Sequence, residues 1–324
     1  MIVEHSAEVS AIVPPAWSLG PEDRHQPAGR VFAMILDGQL GAARRHEAGV
    51  RSDPGPAHLH QYRVAVRRAR SVLSAGGAVF PASPTRALSS SMKAVFEVSS
   101  GVRDLDVLIA AIEERNDSIS AELHDGSALL LAALRLRRST RFGELDSMLS
   151  GPGYASMVQN WQVLGSVYRL GGDEPGPDAL TSTGEVVDAA VLAAFRQVRV
   201  GGRRAHSTDV LDEWHDLRKR LKRLRYLVVA FAPLYPDGSL DPAVRNIRRL
   251  QNVLGRLQDH ATEVALIESV GAAMGGRAAL AAGALSEQLH RATERDRERC
   301  LGAWARFDHR STRGMLRSAI SSAD

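Results

Sequence analysis

Two stretches of this chain carry a histidine followed by four cations in the same order. In His60-Gln61-Tyr62-Arg63-Val64-Ala65-Val66-Arg67-Arg68-Ala69-Arg70 the cations stand 3, 7, 8 and 10 residues after the histidine. In the stretch from His215 to Arg225, 155 residues later, Arg218, Lys222, Arg223 and Arg225 occupy the same offsets. The chemistry open to such a set is the gripping of anions. An arginine fork holds two phosphate oxygens at once, a lysine adds a point charge, and a protonated histidine adds donors. A polymer with a charge on every unit needs many such groups on one rigid surface.

The offsets make geometric sense on a helix. At about 100° per residue, offsets 0, 3, 7 and 10 fall within an arc of roughly 80°. His60, Arg63, Arg67 and Arg70 then form one stripe, and His215, Arg218, Lys222 and Arg225 another. Leu59, Tyr62, Val66, Ala69 and Leu73 make an apolar stripe beside the first; Trp214, Leu217, Leu221, Leu224 and Val228 do so beside the second. A solvated charged face normally lies opposite the apolar one. Here the cations flank it, which aims them at a cleft between helices.

The elements around these stripes also read as helices. Aromatics are only 5 %, while alanine, leucine and arginine abound, a mix that suits helix better than sheet. Periodicity and breakers predict helices over about 31–47, 57–80, 85–98, 126–149, 158–168, 185–199, 242–257 and 278–307. Loops are expected at 49–56, at Ser99-Ser100-Gly101 and at Gly201-Gly202. Asp104 and Asp259 stand where new helices would start, as caps or as salt-bridge partners of motif arginines rather than catalytic acids.

The offsets continue beyond the motifs. Asp104 follows His60 by 44 residues and Asp259 follows His215 by 44; Lys93 and Arg248 each follow at 33. An internal repeat of about 155 residues is too long for a solenoid unit. It predicts an irregular lead-in over 1–29, a first helical bundle over 30–150, a linker over 151–184, a second bundle over 185–310 and a tail over 311–324. The expected fold is all-α, with two pseudo-symmetric bundles around a basic groove or pore.

Composition narrows the classes. The formal charge is +4, so basic character is local. The plainer reading of the arginine excess is a GC-rich genome, yet the only lysines are Lys93, Lys219 and Lys222. A single cysteine, Cys300, excludes an internal disulfide and a cysteine-based zinc site. No apolar run approaches the roughly 20 residues of a membrane span. The start, with Glu4, His5 and Glu8, lacks a secretory signal, so cytoplasm is the expected compartment. No phosphate-loop, H-E-x-x-H or G-x-S-x-G pattern is present.

With motif, repeat and downstream Asp assembled, the chain resembles the CHAD domain, the conserved-histidine α-helical domain, over about residues 30–310. The family pattern H-Q-L-R-V-x-x-R-R-x-R followed by R-D-L-D-V is similar to His60–Arg70 and Arg103-Asp104-Leu105-Asp106-Val107. Its second half, H-D-L-R-K-x-x-K-R-L-R-Y then L-Q-x-x-L-G-x-x-x-D, is similar to His215–Tyr226 and Leu250–Gly255 with Asp259. The chain departs from it at Ser99-Ser100, where Leu-Gly is usual, and at Gln258, where Arg or Asn is usual. The E-x-E-x-K signature of a fused triphosphate tunnel enzyme is missing.

The resemblance implies non-catalytic binding of inorganic polyphosphate, with no cofactor or metal. It also implies partners among polyphosphate granules or polyphosphate-metabolising enzymes, and no membrane. The candidate binding residues are His60, Arg63, Arg67, Arg68, Arg70, Lys93, His215, Arg218, Lys219, Lys222, Arg223, Arg225 and Arg248. Arg138 and Arg141 share only helical spacing with them. The plainer alternatives are a solvated basic face, packing histidines and ordinary surface cations at Lys93 and Arg248. The first is weakened by the shortage of acids: Asp216 in the second motif, none in the first. A histidine phosphotransfer bundle, a nucleic-acid binder and an assembly scaffold also stay open. Nucleic acid is disfavoured because the stripes lack aromatics for base stacking.

Overall fold

The computed structural model describes residues 19–52, 56–166 and 175–323. Most of the predicted lead-in, the centre of the loop before the first motif and Gly171-Gly172 lie outside them. Ten α-helices make up the fold among the described residues, with no strand. They are α1 (Ala28–Ser52), α2 (Pro56–Ala75), α3 (Ala82–Arg115), α4 (His124–Ser150), α5 (Pro152–Ser166), α6 (Thr183–Thr208), α7 (Leu211–Phe231), α8 (Asp241–Met274), α9 (Gly276–Phe307) and α10 (Arg310–Ser321).

The apolar stripes of the two motif helices are buried as their spacing requires. Leu59, Tyr62, Val66, Ala69 and Leu73 on α2 are all within 3 % of full burial, and so are Trp214, Leu217, Leu221, Leu224 and Val228 on α7. Burying one such large side chain contributes roughly 1.5–3 kcal/mol, so these stripes lock the rotation of each helix. The cations beside them are thereby aimed.

Three predicted breaks are absent. Helix α3 runs unbroken through Ser99-Ser100-Gly101. Both serine hydroxyls donate to the Phe96 carbonyl, at 2.9 Å each, a back-bonding that keeps serine inside a helix. Helix α6 runs through Gly201-Gly202, where the glycines admit neighbours. A Cβ on Gly202 would lie 2.1 Å from the Trp304 ring, and one on Gly201 would lie 2.8 Å from Arg220. Helix α8 continues past Asp259. Asp104 and Asp259 are therefore mid-helix residues and not caps. Two boundaries also move: α2 stops at Ala75, ahead of Gly76-Gly77, and α5 begins already at Pro152.

Helices pair in a recurring order: α1 with α2, α3 with α4, α6 with α7, and α8 with α9. The starts of α6 and α7 each follow those of α1 and α2 by 155 residues. The halves are joined closely. Ala28 and Gly29 donate backbone N–H groups to Thr181 and Ala179, and Thr183 donates back to Gln26, all at 2.9 Å. Beside them the buried Arg24 meets Asp188 at 2.6 Å. One apolar core draws on α1, α2 and α5 together with α6, α7 and α10. A second, smaller core joins the late turns of α3 and α8 to the early turns of α4 and α9. Both cores take side chains from both halves, and α2 touches α7 directly.

Candidate anion-binding site

Where α2 meets α7, the stripes of the two halves converge. Arg67 on α2 donates from Nη1 to the Tyr226 hydroxyl at 2.5 Å, and Arg225 reaches the same oxygen at 3.4 Å. Both guanidiniums also lie over the Tyr226 ring, at 5.5 and 5.1 Å from its centroid. Burial alone would raise the Tyr226 phenol. The charges and hydrogen bonds of Arg67 and Arg225 outweigh that and hold it below its ordinary value.

A second aromatic anchors the stripe on α2. Arg63, Arg67 and Arg70 stand over the Phe96 ring at 4.2, 5.0 and 5.5 Å. Arg63 is buried. Its Nη1 donates to the Phe96 carbonyl at 3.0 Å, to Ser99 Oγ at 2.7 Å and to Ser100 Oγ at 3.0 Å. Burial, with Arg67 adding repulsion, lowers its pKa to about 10. Arg68 and Arg70 are also lowered, chiefly by burial. These shifts mark a place where positive charge is unfavourable without an anion.

The stripe on α7 centres on Lys222. Its pKa falls to about 7, first from burial, then from Arg218, Arg67 and Arg225; Asp259 opposes the fall. Arg218 donates to Asp259 at 2.9 Å, yet its Nε is buried without a partner. Asp104 approaches the same group from α3. Loss of water raises its pKa, Arg63 opposes that, and Asp259 adds to it. Five cations thus share two carboxylates, and those two repel one another.

His215 bonds Gln258 through Nδ1, and Gln258 in turn donates to Thr262 Oγ1 at 3.2 Å. Its partner's oxygen assigns the Nδ1–H tautomer. His60 is half-buried on α2. Both departures from the family pattern therefore touch the motifs: Ser99-Ser100 hold Arg63, and Gln258 holds His215.

The other sequence candidates make different contacts. Lys93 is exposed and pairs with Glu97 at 3.6 Å on its own helix. Lys219 and Arg223 point into a groove against α6. Arg248 is half-buried on α8 and makes no hydrogen bond or ion pair with a described residue. Arg141 pairs with Glu144 at 2.7 Å, and Arg138 pairs with Asp106. Sequence reasoning did not point to Phe96, and it had Tyr226 only as the last residue of the second motif, with no role. Phe96 lies one turn beyond Lys93, on the face the matched offset pointed to, and Tyr226 follows Arg225 directly. Among the described residues no group of three or more His, Cys, Asp or Glu could hold a metal ion. Nor is any described helix long and apolar enough to cross a membrane.

The sequence pattern that defines the CHAD domain matches residues 34–268, which takes in both motifs and the junction between them. The chain belongs to the CHAD domain family. That family is associated with polyphosphate binding. Among solved structures, this CHAD domain is similar to the CHAD domain of the plant Ricinus communis. That match has 22 % identity and a TM-score of 0.68, over 90 % of this chain and 94 % of that one. It is also similar to PptA from Streptomyces chartreusis, with 16 % identity and a TM-score of 0.66, over 86 % and 99 % of the two chains. These likenesses show a common all-α fold. A curated relative, the uncharacterised protein Rv2226 of Mycobacterium tuberculosis, is 25 % identical over 294 residues. The chain spans 55 % of that relative's length, and the match covers 89 % of the chain.

Proposed function

We propose that this CHAD domain binds inorganic polyphosphate in the groove between α2 and α7 without turning it over. The observation that carries the reading is Lys222, half-buried beside Arg218, Arg67 and Arg225 and driven down to about 7, first by loss of water and then by their charges. A cluster that disfavours its own charge is stabilised by a ligand that brings negative charge to all its members. A phosphate chain does so with a regular spacing and no need for base stacking. Arg63, Arg67, Arg70, Arg218, Lys222 and Arg225 are assigned to phosphate contact. Tyr226 and Phe96 hold their guanidiniums apart and in place. His60 and His215 flank the groove, and His215 is oriented by Gln258.

The same reading treats residues 30–150 and 185–310 as two copies of one unit, joined through 151–184, with one motif helix from each copy lining the groove. Polyphosphate granules or polyphosphate-metabolising enzymes in the cytoplasm are the partners it implies.

The test titrates long-chain polyphosphate and single-stranded DNA at two salt concentrations. Counterion release makes affinity fall steeply with salt. Polyphosphate is expected to bind tightly and DNA weakly. Replacing Arg67, Arg218 and Lys222 together by Ala is expected to flatten the salt dependence, by roughly one unit of slope per lost phosphate contact. Equal affinity for DNA overturns the ligand assignment, and undiminished binding by the triple variant overturns the site.

A further inference from the structure

Helix α7 carries a second basic face that the groove with α2 does not use. Asp216, Lys219, Arg220 and Arg223 recur at helical spacing. Their face is centred roughly 130° around the helix from the His215–Arg225 stripe. They line a groove of about 520 Å³ closed on the other side by α6, where Ala193 and Ala194 leave room and Gln197 contributes an amide. That volume lies within the range of small-molecule sites. From Asp216 to Arg223 the groove follows roughly 10 Å of helix, enough for a short run of phosphates.

The charges there are poorly compensated from within. Lys219 pairs with Asp216 at 3.1 Å, but both are more than half exposed, so the pair holds weakly. Arg220 is fixed by a neutral partner, donating to Gln197 Oε1 at 2.9 Å. Its stem lies against Gly201, where a Cβ would stand 2.8 Å away. Arg223 makes no hydrogen bond or ion pair with a described residue. Among the described residues three cations thus face one acid.

This groove follows the repeat only in part. At the positions 155 residues earlier, Arg68 matches Arg223, but Val64 stands for Lys219, Ala65 for Arg220 and Ala42 for Gln197. Ala65 is 3 % exposed. A basic lining that served only the shared groove would recur in both halves, as the His/Arg stripes do. Here Lys219, Arg220 and Gln197 belong to the second half alone, and the groove they line with Arg223 lies between α6 and α7.

We infer that the α6–α7 groove is a separate site for a triphosphate group, gripped by Arg220 and Arg223 with Lys219 at its edge. Only its ligand chemistry leans on the phosphate-binding reading above; its position is independent of that groove. Gln197 keeps the Arg220 fork turned into the groove. Arg223, with no competing acid among the described residues, is the principal phosphate contact. Asp216 opposes an anionic ligand and competes for Lys219.

Calorimetric titration of the full chain with inorganic tripolyphosphate at low salt tests this. The wild type is expected to bind two tripolyphosphates. Lys219→Gln with Arg223→Gln is expected to leave one, and so is Arg67→Ala with Lys222→Ala. Asp216→Asn is expected to tighten the outer site several-fold. The altered residues of the outer pair are exposed; Arg223→Ala alone, expected to weaken that site at least tenfold, gives a second, milder reading. A wild type with one site, or an outer variant that keeps two, overturns the inference and leaves the α2–α7 groove standing. A central variant that keeps two sites would instead remove the α2–α7 assignment. In the central variant, titration with ATP separates the sources: tighter binding of ATP assigns a nucleotide, and equal or weaker binding an inorganic chain. An oligoglutamate that binds there as tightly as tripolyphosphate overturns the phosphate assignment.

Discussion

Polyphosphate binding to this domain should draw a proton from solution, and Lys222 is the group that takes it. With a pKa of about 7 in the free protein, Lys222 is charged in about one molecule in ten at pH 8 and about nine in ten at pH 6. A phosphate chain alongside favours the charged form and drives the pKa back up. Binding at pH 8 should then take up about 0.9 proton, and binding at pH 6 about 0.1. Because the bound state holds the extra proton, affinity must fall as pH rises above 7. The fall is about tenfold per unit, or about 1.4 kcal/mol, until the pKa of the complex is reached. Calorimetry at pH 8 in two buffers of different ionisation enthalpy reads the uptake directly. Long chains are used so that titrating end groups are few. Lys222→Met should abolish the uptake while keeping part of the binding through the arginines. Zero uptake by the wild type at pH 8, or equal uptake by the Met variant, refutes the assignment.

Three further outcomes follow from the packing. Tyr226→Phe keeps the ring but removes the oxygen that Arg67 and Arg225 share. It should cost about 1.5–3 kcal/mol in denaturant unfolding and weaken polyphosphate binding several-fold, and an unchanged midpoint would count against the shared hydroxyl. Gly202→Ala should cost about 1–3 kcal/mol of overpacking, because the new methyl would meet the Trp304 ring; set against the roughly 1 kcal/mol of helix propensity gained, the net is a destabilisation of up to about 2 kcal/mol, and a higher melting temperature would contradict it. Glu263 is raised to about 7 by burial, against the pull of Arg115. The folded chain therefore binds a proton that the unfolded chain releases between pH 4.5 and 7, so this group's contribution to stability grows as pH falls through that window and is fully lost above 7. Glu263→Gln should flatten that slope, and parallel melting curves from pH 5 to 8 for both proteins would exclude it.

Much of the architecture was legible because burial follows period. The stripe from Leu59 to Leu73 and the stripe from Trp214 to Val228 are buried as their spacing demands, and the matched cations beside them are aimed accordingly. Breakers misled where a tertiary partner offset a local preference. Ser99 and Ser100 have weak helix propensity, but they back-bond to Phe96 and receive Arg63. Gly201 and Gly202 look like a loop, but their missing side chains admit Arg220 and Trp304. Asp104 and Asp259 resemble caps in a linear reading. Within continuous helices they instead supply the few negative charges near Lys222.

The sequence by itself determined the all-α class, the doubled motif and the face on which each cation sits. Each of these depends on local periodicity, which a single helix already obeys. Only the tertiary structure decided which cations share a space. The offset that marked Lys93 could not show that Phe96, one turn on, is the residue under the arginines. Spacing turns Lys219 about 60° and Arg223 about 100° from Lys222 around α7, but it cannot say what each face meets. Their neighbours differ because α2 packs on one face of α7 and α6 on another. The charge on Lys222 is likewise set by burial first, then by Arg218 and by Arg67, the last more than 150 positions away in the chain and brought close by the contact of α2 with α7.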